Sequence, residues 1–184
     1  MKKQELVVLV DRDGNNLCLQ DGKLSVMGKM EAHQKGMLHR AISVFIFDDS
    51  DRLLIQKRTS GKFHSPSLWS NTCCTHPLPG ESTLAAAQRC LREELGIDAL
   101  IKESFTFLYR AEVGNGLIEY EFDHVFLGIS NQDPNPNPVE VSDWYWITMD
   151  DLDQTLVSEP EKYTPWLRSS FNTIVKQRLR RNPF

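Results

Sequence analysis

The segment GESTLAAAQRCLREELGI, residues 80–97, determines how the rest of the sequence is interpreted. It is rich in strong helix formers, with Ser82 placed to cap the first turn and Gly96 just past the last. One buried stripe is predicted at helical spacing, formed by Leu84, Ala87, Leu91 and Leu95. Glu93 and Glu94 lie near the negative end of this helix, where two carboxylates are unfavourable unless a cation offsets them. Magnesium takes carboxylate oxygens and would do so.

The same helix resembles the Nudix signature, G-x5-E-x7-R-E-U-x-E-E-x-G-U. The matching positions are Glu81, Arg89, Glu93, Glu94, Gly96 and Ile97. Thr75 stands where the signature opens with glycine, and Cys90 stands where it has the first glutamate of R-E. A Nudix hydrolase uses that glutamate in its Mg²⁺ cluster, so the departure argues against hydrolysis of a diphosphate.

Strands surround this helix on both sides. Two hairpins are predicted before it, residues 4–22 around an Asp-Gly turn and residues 42–58 around an acidic turn. The segment 28–41 is predicted to be a loop, and the segment 59–82 is predicted to be mostly loop with one short strand. Strands follow at 103–113, 116–130 and 141–149, then a helix capped by Asp150 and a terminal helix over 163–181 with Pro165 in its first turn. This order predicts an α+β fold, with mixed β-sheet flanked by helices.

Composition limits the classes of protein that the chain can represent. Its 184 residues favour a single domain, residues 1–184. A net charge of -4 argues against general affinity for nucleic acid or anionic membrane. The apolar run at residues 6–10 is shorter than a secretory signal needs, and no segment is long and apolar enough to span a bilayer. We therefore expect a cytoplasmic protein whose four cysteines form no disulfide framework.

Histidines and glutamates suggest a second metal site. Glu119 and Glu121 lie two residues apart on a predicted strand, so both carboxylates face the same side. His33, His39 and His76 lie in or beside the loops that flank the second hairpin. Imidazole and carboxylate together suit Zn²⁺ or Mn²⁺, in an expanded, roughly octahedral site.

Several motifs taken in order resemble the type 1 isopentenyl-diphosphate Δ-isomerases, a Nudix-fold family of isoprenoid synthesis. They are HRAISVFIF, LLIQKR, WSNTCCTHPL, EYE and TPW, and the resemblance runs from about Lys29 to Trp166. It implies that Cys74 is the catalytic thiol, that Glu121 is the carboxylate facing it, and that Cys73 has a packing role. It places Tyr109 and Trp166 at the aromatic positions of the pocket. The ligands of a tightly held Zn²⁺ or Mn²⁺ would be His33, His39, His76, Glu119 and Glu121.

The resemblance also implies a diphosphate site. Lys29, Arg58 and Lys62 match the basic residues that hold the diphosphate. Glu94 and the Cys74 carbonyl match the protein ligands of one Mg²⁺, with the substrate completing that site. Some family members have a phosphate-binding arginine at the position of Cys90, so the chain departs from the pattern there. Arg89 or Arg92 would have to replace it, or this chain binds phosphate without that arginine.

The expected activity is interconversion of isopentenyl and dimethylallyl diphosphate, a small-molecule reaction with no nucleic-acid or membrane partner. We expect a monomer or a weak homodimer. Two other functions are possible on the sequence: a Nudix diphosphohydrolase, which needs glutamate at position 90, and a non-catalytic metal-binding or scaffold protein.

Overall fold

The structure is a computed structural model that describes residues 5–179. Within that range the strands are Leu6–Val8 (β1), Val26–Gly28 (β2), His39–Phe47 (β3), Leu53–Arg58 (β4), Trp69–Ser70 (β5), Cys73–Thr75 (β6), Ile101–Glu112 (β7), Ile118–Ile129 (β8) and Val141–Ile147 (β9). The α-helices are Lys29–Lys35 (α1), Thr83–Cys90 (α2), Met149–Ser158 (α3) and Pro165–Leu179 (α4). A π-helical turn, Leu91–Leu95, extends α2, and a 3₁₀ turn, Pro160–Lys162, precedes α4. Among these described residues, no helix has the length and apolar character needed to cross a membrane.

The large sheet is mixed, and β3 is its central strand. β3 runs parallel to β8, pairs antiparallel with β6 along one edge, and meets β4 through the hairpin at Phe47 and Leu53. β7 pairs with β8, and both β5 and β9 pair with β4. β1 and β2 form a separate two-stranded sheet. The predicted α+β architecture is confirmed.

Side chains of β3 alternate between two hydrophobic cores. Ile42, Val44 and Ile46 pack into the core beneath α2, whereas Phe45 and Phe47 pack into the core beneath α3 and α4. A strand covered on both faces reads as a nearly continuous apolar run, as ISVFIF does. Each large side chain buried this way stabilises the fold by about 1.5–3 kcal/mol.

Helix α1 lies where the sequence predicts a loop. Its sequence, KMEAHQK, is mostly polar and has no apolar stripe to reveal it. The helix buries Ala32 and His33 and ends at Gly36, whose φ of 59° is left-handed. Tertiary burial rather than local pattern therefore stabilises α1.

Two details of the other helices also differ from the prediction. Leu84 is 43% exposed and does not belong to the buried stripe; the buried residues of α2 are Ala86, Ala87 and Cys90. The N-cap of α3 is Thr148, not Asp150: the Thr148 side chain accepts from the Asp151 amide. Ser82 as the cap of α2, Gly96 as the residue after its last turn, and Pro165 in the first turn of α4 are confirmed.

The first predicted hairpin forms only in part. The backbone turns at Gly14, and the segment after it pairs through isolated bridges such as Val10 with Asn16. The ladder of β1 forms instead with β2. The second hairpin and the three later strands are found as predicted, whereas the 59–82 segment contains two short strands, β5 and β6, instead of one. The predicted ends at residue 4 and residues 180–181 lie outside the described residues.

Candidate active site and metal centre

A cavity of about 490 Å³ opens beside the first residues of β3 and the start of β8. It is bordered by α1, by the loop after β4, by β6 and by the first turn of α4. The predicted site residues that line it are Lys29, Arg58, Lys62, Cys74, His76, Glu94, Tyr109, Glu119, Glu121 and Trp166. The other two, His33 and His39, are fully buried next to Glu119 and Glu121. The structure thus brings together residues that are up to 137 positions apart between Lys29 and Trp166.

The paired cysteines point to opposite sides of a short strand. Cys74 pairs with Ser43 and Cys73 with Val44, so alternation sends Cys73 into the core beneath α2 and Cys74 to the cavity. The side chain of Asn71 donates to the carbonyls of Val44 (3.1 Å) and Cys73 (2.8 Å). These contacts hold β6 against β3. The register of β6 therefore explains both the packing role expected for Cys73 and the exposure of Cys74 to the cavity.

Five side chains form the candidate metal centre. His33 comes from α1, His39 and Glu121 pair across β3 and β8, Glu119 precedes them on β8, and His76 follows β6. One potential ligand atom from each lies within 4.8 Å of all the others. Among described residues this cluster is the one with metal-ligand geometry, and its members are those that the resemblance implies.

Hydrogen bonds fix the orientation of two of the imidazoles. His33 Nδ1 lies 2.6 Å from the Lys29 carbonyl, and His39 Nδ1 lies 2.7 Å from the Met37 carbonyl. Each Nδ1 must donate to its carbonyl, which leaves the lone pair of Nε2 directed into the cluster. Both Nε2 atoms and Glu119 Oε2 are buried without a hydrogen-bond partner. Buried acceptors that face one another fit a cation, because a cation would satisfy all of them at once.

The pKa values agree with a site that requires positive charge. Burial lowers the pKa of His76 to about 4, so its ring is neutral at pH 7 and offers a lone pair. Burial also lowers the pKa of His33, but Glu119 outweighs it and the net shift is upward. The upward shift reflects the negative charge that Glu119 brings to the cluster.

Glu121 connects the metal cluster to the cavity. Its Oε1 lies 2.8 Å from His76 Nε2, and its Oε2 accepts from the hydroxyl of Tyr109, which lies opposite it on β7. Burial raises the pKa of Glu121, but the contacts with His39 and His76 outweigh it and hold the pKa well below its usual value. Burial raises the pKa of Tyr109 and of Cys74 well above their usual values. At neutral pH the cavity therefore holds an ionised carboxylate and a protonated thiol.

Basic residues cluster at the other end of the cavity. Arg58 donates through Nε to the Ser65 carbonyl and through a terminal nitrogen to the His64 carbonyl. Its guanidinium carbon lies 5.2 Å from the centre of the Trp166 ring. Trp166 is held in turn by two hydrogen bonds from Nε1, to Ser70 and Asn71, each 3.0 Å long. Arg58 thus braces both the loop after β4 and the aromatic wall.

Lys62 lies between two carboxylates on this side of the cavity. Its Nζ contacts Glu140 and is 3.6 Å from Glu94 Oε1. The other oxygen of Glu94 accepts from Gln56 at 2.8 Å, and burial raises the pKa of Glu94. A buried carboxylate that is matched by one lysine has capacity for a further cation.

Lys29 is held differently from the other two basic residues. Its Nζ lies 3.0 Å from Glu5 Oε2 and 5.1 Å from the centre of the Phe63 ring.

The structure distinguishes the two arginines that could stand in for an arginine at position 90. Arg92 pairs with Asp98 on the outer side of the helix and does not line the cavity. Arg89 lines the cavity and is bound by Glu81 and Glu93, and it donates to the His76 carbonyl. Arg89 therefore supports the loop that carries His76.

Three features of the site escape sequence reasoning. His64 Nε2 lies 2.9 Å from Glu119 Oε1. Glu140 contacts Lys62, and Asp123 accepts a hydrogen bond of 2.7 Å from Ser43 below the metal cluster. Asp123 continues the alternation of Glu119 and Glu121 along β8, which is a signal that the sequence does contain. His64 and Glu140 lie on loops, where no spacing rule predicts a contact.

Comparisons with known proteins agree with this geometry. A family model described as NUDIX domain matches residues 37–167. The protein named isopentenyl-diphosphate Delta-isomerase 2 from Aromatoleum aromaticum is 46% identical over 175 residues, which cover 95% of this chain and 89% of that relative. The chain belongs to the isopentenyl-diphosphate Δ-isomerase family. Another member, from Pectobacterium atrosepticum, is 46% identical over 168 residues, covering 91% of this chain and 90% of the relative.

Solved structures show the same fold at much lower identity. The crystal structure of DR0079 from Deinococcus radiodurans has a TM-score of 0.74 at 17% identity and covers 92% of this chain and 98% of that chain. The crystal structure of a MutT protein from Methanosarcina mazei has a TM-score of 0.63 at 15% identity. The match covers 77% of this chain and 95% of that chain. The Nudix fold expected for this isomerase-family chain is confirmed. The NUDIX domain and the His/Glu cluster together indicate that the protein binds a divalent metal.

Proposed function

We propose that this protein interconverts isopentenyl diphosphate and dimethylallyl diphosphate, with Cys74 and Glu121 as its acid–base pair. The carrying observation is that one cavity contains both groups, with Glu121 fixed by Tyr109 and by the metal cluster. Membership of the isomerase family supports the reaction, and the opposite pKa shifts of the two groups support the roles.

The reaction adds one proton to the terminal CH₂ carbon of the alkene and removes another from the carbon next to the CH₂O group. The double bond moves, no atom is lost, and positive charge develops on the tertiary carbon between these steps. An acid–base pair must hold one proton at the start, and Cys74 and Glu121 together do so. Because the reaction is reversible, the roles of donor and acceptor exchange with its direction.

Tyr109 and Trp166 serve the reacting carbons in this proposal. Tyr109 donates its hydroxyl to Glu121 and can pass a proton to or from that carboxylate. Trp166 is almost fully buried, and its hydrogen bonds to Ser70 and Asn71 fix its ring beside the cavity. A π face near a desolvated cation contributes about 2 kcal/mol or more.

Lys29, Arg58 and Lys62 are proposed to bind the diphosphate, with one Mg²⁺ held by Glu94, the Cys74 carbonyl and the substrate. Binding energy gained there, away from the reacting carbons, holds the alkene between Cys74 and Glu121. One Zn²⁺ or Mn²⁺ would be held by His33, His39, His76, Glu119 and Glu121. When bound, it fixes the position of Glu121 and lowers the basicity of its carboxylate. We further propose a cytoplasmic enzyme that is a monomer or a weak homodimer.

The test follows isopentenyl diphosphate by proton NMR in deuterated buffer. Wild type should form dimethylallyl diphosphate that carries solvent deuterium, and Cys74→Ala should be slower by roughly 10²–10⁴-fold. Cys73→Ala is the matched control, since its thiol faces the core beneath α2, and it should keep the activity. Release of inorganic phosphate without isomer would reject the proposal in favour of a diphosphohydrolase.

One observation argues against that hydrolase alternative. Position 90, where a hydrolase needs a glutamate, carries a buried cysteine thiol next to Cys73. The hydrogen bond with Cys73 and burial raise the pKa of Cys90 well above its usual value, so it adds no charge to a metal cluster there.

A further inference from the structure

His64 lies beside the metal cluster but outside it. Its Nε2 is 2.9 Å from Glu119 Oε1, whereas its ring does not belong to the set of ligand atoms that lie within 4.8 Å of one another. His33 Nε2 lies 3.2 Å from the same oxygen. One oxygen of Glu119 therefore faces two imidazoles, and the other is buried without a partner.

The two imidazoles cannot play the same role. His33 donates through Nδ1 to the Lys29 carbonyl, so as a metal ligand it presents a lone pair at Nε2 and cannot also donate to Glu119. The Nδ1 atom of His64 has no partner, which leaves Nε2 free to carry the proton and donate it. Among the residues from 5 to 179, His64 is then the imidazole that can hold Glu119 once His33 binds a cation.

His64 is fixed well enough to act in this way. Its ring packs edge to face against Phe63 at 4.4 Å and Trp166 at 5.8 Å, and stacks on His33 at 5.4 Å. Its carbonyl accepts a hydrogen bond from Arg58. The residue is only 5% exposed and forms part of the cavity wall.

We propose that His64 is a positioning residue: it donates Nε2–H to Glu119 Oε1 and so directs Glu119 Oε2 to the metal ion. Partners of this kind orient a metal ligand, and their loss typically lowers metal affinity by roughly 10–100-fold. His64 also belongs to the loop that carries Lys62. The conformation of that loop is therefore coupled to the position of Glu119. This inference rests on the metal site of the proposed function.

The test compares His64→Phe with His64→Gln in the full-length protein. Phenylalanine keeps the ring packing and removes the donor, whereas the glutamine amide restores a donor near the position of Nε2. The affinity for Zn²⁺ is measured by competition with a chromophoric chelator. We expect His64→Phe to bind roughly 10–100-fold more weakly and His64→Gln to recover most of that loss. His124→Phe, a change on the same sheet but at a histidine paired with Glu103, is the control and should bind like wild type.

Visible absorption of the Co²⁺-loaded proteins separates a positioning residue from a ligand. If His64 positions Glu119, the spectrum of His64→Gln should match that of wild type. A spectrum that shows a changed ligand set would overturn the proposal, because His64 would then bind the ion itself. Unchanged Zn²⁺ affinity in a folded His64→Phe protein would also overturn it.

Failure of the proposed function has a different signature. If the wild-type protein isomerises nothing but its Zn²⁺ affinity still depends on His64, the proposed activity is rejected and the role of His64 stands. Wild type that binds no Zn²⁺ would remove its basis.

Discussion

Replacing Glu81 by glutamine should destabilise the junction between the Cys74–His76 segment and helix α2. Glu81 accepts from Arg89 Nε at 2.8 Å, from a terminal nitrogen of Arg89 at 2.9 Å and from the Leu78 amide at 2.8 Å. Glutamine keeps one acceptor and loses the charge, so one charge-assisted hydrogen bond is lost outright. A bond of that kind contributes about 1.5–3 kcal/mol, and the free energy of unfolding should fall by this amount at pH 7.

The loss should depend on pH in a defined direction. Hydrogen bonding from Arg89 holds the pKa of Glu81 below its usual value of 4.5, although burial opposes it. A group whose pKa is lower in the folded state stabilises the protein above its unfolded pKa, and this stabilisation is lost as pH falls through the folded value. The difference between wild type and Glu81→Gln should therefore be complete at pH 7 and shrink below about 4.5.

Urea unfolding followed by tryptophan fluorescence measures this difference, since the chain has four tryptophans. Glu93→Gln is the matched control: Glu93 also pairs with Arg89, at 3.2 Å, but is 61% exposed, so it should cost less than about 1 kcal/mol. Equal, small decreases in the free energy of unfolding for both variants would refute the reasoning. So would a difference between wild type and Glu81→Gln that widens as the pH falls.

Three further perturbations test other parts of the structure. Tyr109→Phe removes the hydroxyl that donates to Glu121, and kcat for isomerisation should fall about tenfold to a hundredfold while the KM for the diphosphate changes little. Removal of metal with a chelator should lower the melting temperature in calorimetry, and Zn²⁺ at 100 times its Kd should restore about 2.7 kcal/mol; an unchanged melting temperature would exclude a tightly held ion. Gly128→Ala should lower stability by about 1–3 kcal/mol in urea unfolding, since a Cβ there would lie 2.7 Å from Ile101 Cγ2 and 2.8 Å from the Leu100 carbonyl. If Gly128→Ala is as stable as wild type, β7 can move away from β8 enough to accept the added methyl group.

Local chemistry made part of this structure predictable. Ser82 and Gly96 bound helix α2 because capping and left-handed backbone depend on single residue types. Glu119 and Glu121 share a face because strand alternation needs no tertiary information. Features whose cause lies within a few residues of sequence were therefore accessible.

Other features depend on contacts that sequence spacing does not encode. His39 meets Glu121 because β3 and β8 pair in parallel, and 70 residues separate the two strands in the sequence. Only the resemblance to a family placed these side chains in one site. Helix α1 gains its stability from burying Ala32 and His33, and His64 reaches Glu119 from a loop, so neither leaves a periodic pattern.

The register of the three-residue strand β6 decides which of two adjacent thiols faces the cavity. A slip of one residue against β3 would exchange Cys73 with Cys74, and a ladder this short has little ability to resist it. Asn71 binds the backbone on both sides of the ladder, and Thr72 donates to the Leu54 carbonyl and accepts from the Ile46 amide. Asn71 and Thr72, the residues before the cysteines, thus fix the register of β6 against β3. Substitutions at Asn71 should therefore damage catalysis by presenting the wrong thiol, even in a protein that remains folded.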